Sequence, residues 1–319
     1  MTETSFVARH HLRSALWMLA LLLVIMSDAS AGNGIIERSH DVTRSFNVLA
    51  YNIYMRPKGL FADDQADRGA MLPSKLRGFD VVVFSEAFDD TVRNQLLTDL
   101  RGEYPYQTRI LGADSGFRQD GGVIMVSRWP ITVEAQRLYG DVCNGGDCWA
   151  DKGVLYAGFA KHGRTYHVFA SHMQAGREVK HQQTRMQQLG IIKSFIDSRG
   201  IAGTEPVFIA GDLNVDKHDA DEYAAMLRVL DAWYPRPSGH PYTIDSTINR
   251  RAGDRLYLDY VLVSNRHLQP VSATIETLIP RSRIPFGFFR ADYELSDHFP
   301  VFGHFAFTPP ATNIAATGD

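Results

Sequence analysis

The sequence predicts an α/β protein in which two β-sheets pack face to face and the helices lie outside. Three observations predict it: strand-like segments outnumber helical ones, the strands are apolar on both faces, and no Ser/Gly/Pro-rich linker, charge block or repeat divides the chain. Strands with no polar side must be covered on two sides, and with this many of them two stacked sheets flanked by helices is the economical arrangement. The aliphatic content suffices for one large core. A single catalytic domain over residues 42–308 is therefore expected, with a disordered tail over 309–319.

Ahead of the domain, residues 11–31 read HLRSALWMLALLLVIMSDASA. Arg13 opens a basic segment, about a dozen apolar residues follow, and Ala29-Ser30-Ala31 gives a small-x-small cleavage signature. The apolar run is short for a bilayer span. Residues 1–31 are read as a signal peptide cleaved near Ala31, which makes the protein secreted, extracellular or periplasmic; an uncleaved N-terminal anchor is the alternative.

Within the domain, SFNVLAYNIY (45–54) and FDVVVFSEAF (79–88) are β-branched and aromatic, and both run out into polar residues. TVRNQLLTDLRGEY (91–104) has helical spacing, with Val92, Leu96, Leu97 and Leu100 on one side. GGVIMVS (121–127), GVLYAGFA (153–160) and TYHVFASHMQA (165–175) read as strands. A helix is expected over 177–198, where Met186, Leu189, Ile192, Phe195 and Ile196 form an apolar stripe, and another over 219–233. VFIAGD (207–212), LYLDYVLVS (256–264) and FPVFGHFAF (299–307) complete the strands.

The two cysteines, Cys143 and Cys148, lie in DVCNGGDCW. In an exported protein the expected fate is a disulfide pinning a short loop; two thiolates without a nearby His pair make only half a zinc site. The net charge of −3 gives no general attraction to nucleic acid.

VFIAGDLNV (207–215) delivers a carboxylate, Asp212, and a carboxamide, Asn214, to the end of an apolar strand. Residues two apart on a strand point the same way, a common construction for phosphoryl transfer, although an Asx turn closing a strand would read the same. Other strand ends add complementary groups: Asn52, Glu86, His172, Asp259 within LDYVLV, and Asp297-His298 in LSDHFPV. Singly, each is read as a turn former, a cap or a hydrogen-bonded core residue. All are hard-oxygen or imidazole groups, and together they point to one shared pocket.

YNIY, FSEAFDD, SHMQA, GDLNV, LDY and SDHFPV together resemble the endonuclease/exonuclease/phosphatase superfamily, and YNIYM, SEAFDD, DGGVIMVSRWPI, DKGVLYA, GDLNVDKHDADEY and GFFRADYELSDHFPV are most similar to secreted bacterial sphingomyelinases. The resemblance runs over about residues 44–307. It implies a DNase I-like, four-layer α/β sandwich of two mixed sheets, and a Mg²⁺-dependent phosphodiesterase, with Mn²⁺ or Co²⁺ able to substitute. In that reading a monomer acts on a sphingomyelin-containing membrane surface, with no nucleic acid partner.

The residue types suit this chemistry. Phosphodiester hydrolysis needs charge neutralisation and an activated water, and a divalent metal supplies both; Mg²⁺ needs only one or two carboxylates and a carboxamide. Glu86 is the expected direct ligand, with Asn52 and Asp297 beside it. His298, with an ordinary pKa of about 6.5, is assigned as general base and as a contact to a second metal, and Asp259 as the carboxylate that fixes its tautomer. Asp212 would hold the attacking water and Asn214 donate to a phosphoryl oxygen. His172 would stabilise phosphoryl oxygens or protonate the leaving alkoxide, and Lys152 matches the lysine the resemblance places near the phosphate.

One departure concerns an edge metal position, which the resemblance carries onto the Phe88 carbonyl, Asp90 and an acidic pair. Here that pair is Gln119-Asp120, so a weaker edge site is expected. Phe286, Phe288 and Phe289, clustered around a glycine with Arg281, Arg283 and Arg290 nearby, suit insertion at a membrane headgroup boundary. A nuclease or phosphoinositide phosphatase on the same scaffold, and a catalytically silent membrane-binding protein, are the competing readings. No basic run promises the phosphate-tracking groove a nuclease needs.

Overall fold

In SFNVLAYNIYM, alternate residues take opposite faces: Phe46, Val48 and Ala50 join one core, while Leu49, Tyr51 and Ile53 join another. A strand buried on both sides can only lie inside a layered structure. The computed structural model describes residues 44–56, 63–115, 118–286 and 292–308. The signal-peptide and tail assignments lie outside the described residues, and among these no helix is long and apolar enough to cross a membrane.

In chain order the elements begin β1 (Ser45–Met55), α1 (Gln65–Met71), β2 (Val81–Ala87), α2 (Asp90–Leu100), β3 (Tyr106–Gln107), β4 (Ile124–Ser127) and β5 (Ile131–Leu138). They continue with β6 (Gly153–Lys161), β7 (Arg164–Ser171), α3 (Val179–Ser198), β8 (Val207–Asp212), α4 (Ala220–Leu230), β9 (Ala232–Trp233) and β10 (Pro237–Gly239). The last are β11 (Ile244–Asp245), β12 (Arg255–Leu256), β13 (Asp259–Ser264), β14 (Ser272–Thr277), β15 (Arg281–Phe286), β16 (Asp292–Glu294) and β17 (Val301–Ala306).

One sheet has the order β10-β14-β17-β1-β2-β4-β3 and the other β5-β6-β7-β8-β13-β9. Both are mixed: β1 runs parallel to β2, β7 runs parallel to β8, and antiparallel pairs flank them. The inner faces share one core, in which Phe46 stacks on Tyr166 and Phe208 meets Phe305. Leu189, Ile192 and Phe195 of α3 and Met226 of α4 join that cluster, while Val92, Leu96 and Leu100 of α2 seal the opposite face of the first sheet. The expected sandwich is thus present. Buried Lys161 also spans the two sheets, donating to Asp80 Oδ2 at 2.8 Å and to the Ser45 carbonyl at 2.6 Å.

The differences from the sequence reading have local causes. The first long helix ends at Leu100, short of 104. α4 stops at Leu230 because Asp231 turns left-handed at φ 49°, and Trp233 then pairs with Val263. The 256–264 segment divides, its first residues pairing with β11 and Asp259 opening β13. The reading passed over β5 and β14, which lie at or beside sheet edges and carry polar residues through their length. Cys143 and Cys148 form the expected disulfide.

Arg68, fully buried in α1, joins β1 to the segment before β17. Its guanidinium donates to the carbonyls of Ile53 (2.8 Å), Tyr54 (2.6 Å) and Leu295 (3.0 Å), and to Asp63 Oδ1 (3.0 Å). Arg68→Ala would leave these acceptors unpaired, and is expected to lower unfolding stability by roughly 3–5 kcal/mol. Urea denaturation measures this; an unchanged midpoint would refute the linking role.

Candidate active site

The ends of β1, β2, β7 and β8 bring their polar residues to one place, and β13 contributes because it runs antiparallel to β8, pairing Asp259 with Asp212. Asn52 is the hub. Its amide nitrogen lies 3.0 Å from Glu86 Oε1, 3.0 Å from Asp212 Oδ2 and 3.5 Å from His298 Nε2. Its own Oδ1 accepts from the Tyr54 backbone at 3.1 Å. Asn52 therefore faces the carboxylates as a donor, where the sequence reading had it as a metal ligand.

Glu86 ends β2 in the left-handed region at φ 55°, and Asn214 sits at φ 53°. Such a backbone costs on the order of 1 kcal/mol for a residue with a Cβ. At Glu86 it turns the carboxylate into the cluster. Burial above all, and then the nearby Asp297, push Glu86 up to about 7. Asp297 is itself raised, by burial, against the lowering effect of His298 and Arg68.

His298 Nδ1 lies 2.7 Å from Asp259 Oδ2. A carboxylate there requires a proton on Nδ1, which leaves Nε2 as the acceptor in the neutral ring. Burial disfavours the imidazolium, but Asp259, Asp297 and Asp212 outweigh it and hold His298 well above its ordinary value. His172 is the opposite case: burial and then Lys152 push it down to about 3, so it is a neutral imidazole at working pH. Its Nε2 lies 3.6 Å from Asp212 Oδ2, 4.0 Å from Glu86 Oε1 and 3.4 Å from Lys152 Nζ.

Lys152 also donates to Asp147 Oδ1 (2.9 Å) and the Met173 carbonyl (2.9 Å). Asn214 Nδ2 bonds that same carbonyl at 3.1 Å. Glu86, His172, Lys152 and Asp147 line a cavity of ≈ 200 Å³ together with Phe88, Arg56 and the exposed Trp149.

Glu86, His172 and Asp212 place donor atoms within 4.8 Å of one another, as do Asp212, Asp259 and His298. A buried carboxylate raised to about 7, with other carboxylates beside it, belongs to a set whose charge a divalent cation would relieve. The residues fit a metal at Glu86. The edge set is separate: Asp90, Asp114 and Asp120 converge, but Asp120 and Asp90 both bond Arg93. The Phe88 ring lines the cavity and fills the space a Gly122 side chain would need. Phe288 and Phe289 fall outside the described residues. Phe286 is described only as backbone, paired with Asp292 in the β15–β16 hairpin.

Two contributors escaped the sequence reading. Asp147 holds Lys152 and the Ala175 backbone nitrogen (2.6 Å), and its position between the two cysteines was the available signal. Ser296 donates to the Asn52 carbonyl at 2.7 Å and accepts from the His298 backbone at 3.1 Å. It is the first residue of the SDH triplet that drew attention to its neighbours.

A two-sheet sandwich with a carboxylate, carboxamide and imidazole cluster at its strand ends has the layout of a metal-assisted phosphoesterase. Residues 46–298 match the model of the Endonuclease/Exonuclease/phosphatase family, and the chain belongs to that family. Its relatives there are bacterial sphingomyelinases. It is 32% identical to a Bacillus cereus sphingomyelinase C over 83% of this chain and 90% of that one. A sphingomyelinase C structure from Streptomyces griseocarneus superposes with TM-score 0.77 at 32% identity, over 82% of this chain and 100% of the other. A Staphylococcus aureus beta toxin variant with bound magnesium ions gives TM-score 0.77 at 29% identity, over 82% and 99%. The chain spans only about half the length, 54% and 49%, of two Leptospira interrogans sphingomyelinases it also matches.

A cation on Glu86 must displace whatever proton the carboxyl holds. With Glu86 at about 7, that proton is mostly present at pH 6 and mostly absent at pH 8. Mg²⁺ or Mn²⁺ affinity is expected to rise over that interval, with more protons released on binding at the lower pH. Calorimetry in two buffers of different ionisation heat measures both quantities, and a pH-independent affinity would count against Glu86 as the ligand.

Proposed function

We propose that the protein is a secreted, Mg²⁺-dependent phosphodiesterase that hydrolyses sphingomyelin to ceramide and phosphocholine. The observation that carries this is the continuous chain Glu86–Asn52–Asp212–His298–Asp259, at hydrogen-bond spacing or close to it, in a chain whose relatives bear the name sphingomyelinase C. Glu86 would hold the cation, with Asp297 adjacent and Asn52 bracing the carboxylate. When bound, the metal would neutralise phosphoryl charge and acidify water.

The chain's own groups do the rest. In its neutral form His298 accepts the proton of the attacking water at Nε2, and Asp259, which keeps the ring oriented, stabilises the imidazolium that results. Asp212, 3.8 Å from that nitrogen, orients the water. The second N–H of the Asn214 amide donates to a phosphoryl oxygen. His172, neutral, donates or accepts hydrogen bonds near the leaving alkoxide, and the neighbouring Lys152 supplies the positive charge. The exposed Trp149 and the cavity-lining Phe88 offer ring faces to a quaternary ammonium headgroup, and the aromatic cluster Phe286, Phe288 and Phe289 is proposed from the sequence as the lipid contact.

Phosphocholine release from sphingomyelin vesicles is expected with Mg²⁺ and not with EDTA, and His298→Ala should reduce it by at least a hundredfold. No release by the wild type with Mg²⁺ present ends the proposal. DNA or phosphoinositide cleavage in place of sphingomyelin cleavage would support the related activities of the fold.

The aromatic cluster is tested separately. Phe288→Ala/Phe289→Ala is expected to abolish hydrolysis of vesicle-bound lipid and spare a soluble phosphocholine ester. Equal losses on both substrates would refute the membrane role.

A further inference from the structure

Beside α2, Asp90, Asp114 and Asp120 bring oxygens within 4.8 Å of one another, with Asp120 only 2% exposed. A carboxylate as deeply buried as Asp120 needs a counter-ion. One is present. Arg93 Nη1 lies 2.8 Å from Asp120 Oδ2 and donates to the Ala87 carbonyl at 2.6 Å, while Nη2 bonds Asp90 Oδ1.

Two further oxygens are also engaged. Asp120 Oδ1 accepts from the Gly122 backbone at 2.8 Å, and Asp114 Oδ1 accepts from the Asp120 backbone at 2.9 Å. Arg93 is 8% exposed and its planar fork is tied to three acceptors on three segments, so it does not swing aside at low cost. A divalent ion placed here would compete with a guanidinium for the same lone pairs and meet it as a like charge. Gln119 supplies an amide where the resemblance expects a second acid. The position holds a fixed cation among its carboxylates, bonded to two of them, and its residues do not fit a metal.

We infer that Arg93 is a built-in cation that takes the place of an edge-bound divalent ion, so that this chain carries its counter-charge at the edge in covalent form and binds metal only at the Glu86 cluster. The inference concerns metal count and is independent of the substrate.

Mn²⁺ titration of the purified protein at neutral pH, followed by the EPR signal of the free ion, tests it. The expected result is that Asp120→Asn leaves the number of bound equivalents unchanged while Glu86→Gln reduces it. The double variant Arg93→Ser/Gln119→Glu should gain one equivalent, which Asp120→Asn then removes. Loss of one equivalent from Asp120→Asn in the otherwise wild-type protein overturns the inference. So does a folded double variant, shown by circular dichroism, that gains no equivalent.

Discussion

Four carboxylates, from Glu86, Asp212, Asp259 and Asp297, surround one imidazole at the edge of a packed core, and most of the architecture around them exists to make that crowding tolerable. Burial of charge is costly and like charges nearby add to it: burial first, then Asp297, displaces Glu86 upwards, burial displaces Asp297 upwards, and the surrounding carboxylates hold His298 above its ordinary value. The groups are kept together by hydrogen bonds that use no metal: Asn52 between Glu86 and Asp212, Ser296 between Asn52 and His298, and Asp259 against His298. The fold supplies a preorganised anionic socket, with the reorganisation already accomplished in folding.

That preorganisation runs back into the sandwich. Asp212 and Asp259 are cross-strand partners, so any slip of β8 against β13 would carry Asp212 away from the Asp259–His298 pair. Arg68 links the carbonyls of Ile53 and Tyr54 to that of Leu295, which fixes the SDH segment beside the end of β1. On the opposite side, the disulfide loop presents Asp147 to Lys152, and Lys152 lies against His172. Lys152, which after burial does most to lower His172, is thus tied to a loop closed by the Cys143–Cys148 disulfide.

Much of this was legible in the chain. Buried strands such as VVVFSEA and VFIAGD announce themselves by continuous apolar runs, and the polar residue that breaks each run is a site residue because a strand end is where a buried strand meets solvent. Edge strands lack that signal, which explains the missed ITVEAQRL and SATIET. Roles that depend on a distant partner were also hidden. Arg93 reads as one more polar residue on an amphipathic helix until Asp120, 27 positions later, folds against it. The direction of the Asn52 amide is likewise set by the Tyr54 backbone, which no pattern of residue types encodes.

The pairing of β1 with β17 has a consequence in time as well as in space. Ser45 lies opposite Ala306 in the register, so the earliest described strand acquires that neighbour only when one of the last has been made. Contacts of such long sequence separation form slowly and late. His298 stands three positions before β17. A chain still emerging, or one cut short before this segment, has every carboxylate of the cluster up to Asp259 but neither the base nor the strand that seats it. Completion of the fold and assembly of the cluster are then the same event, and the site does not arise before the β17 segment has been made.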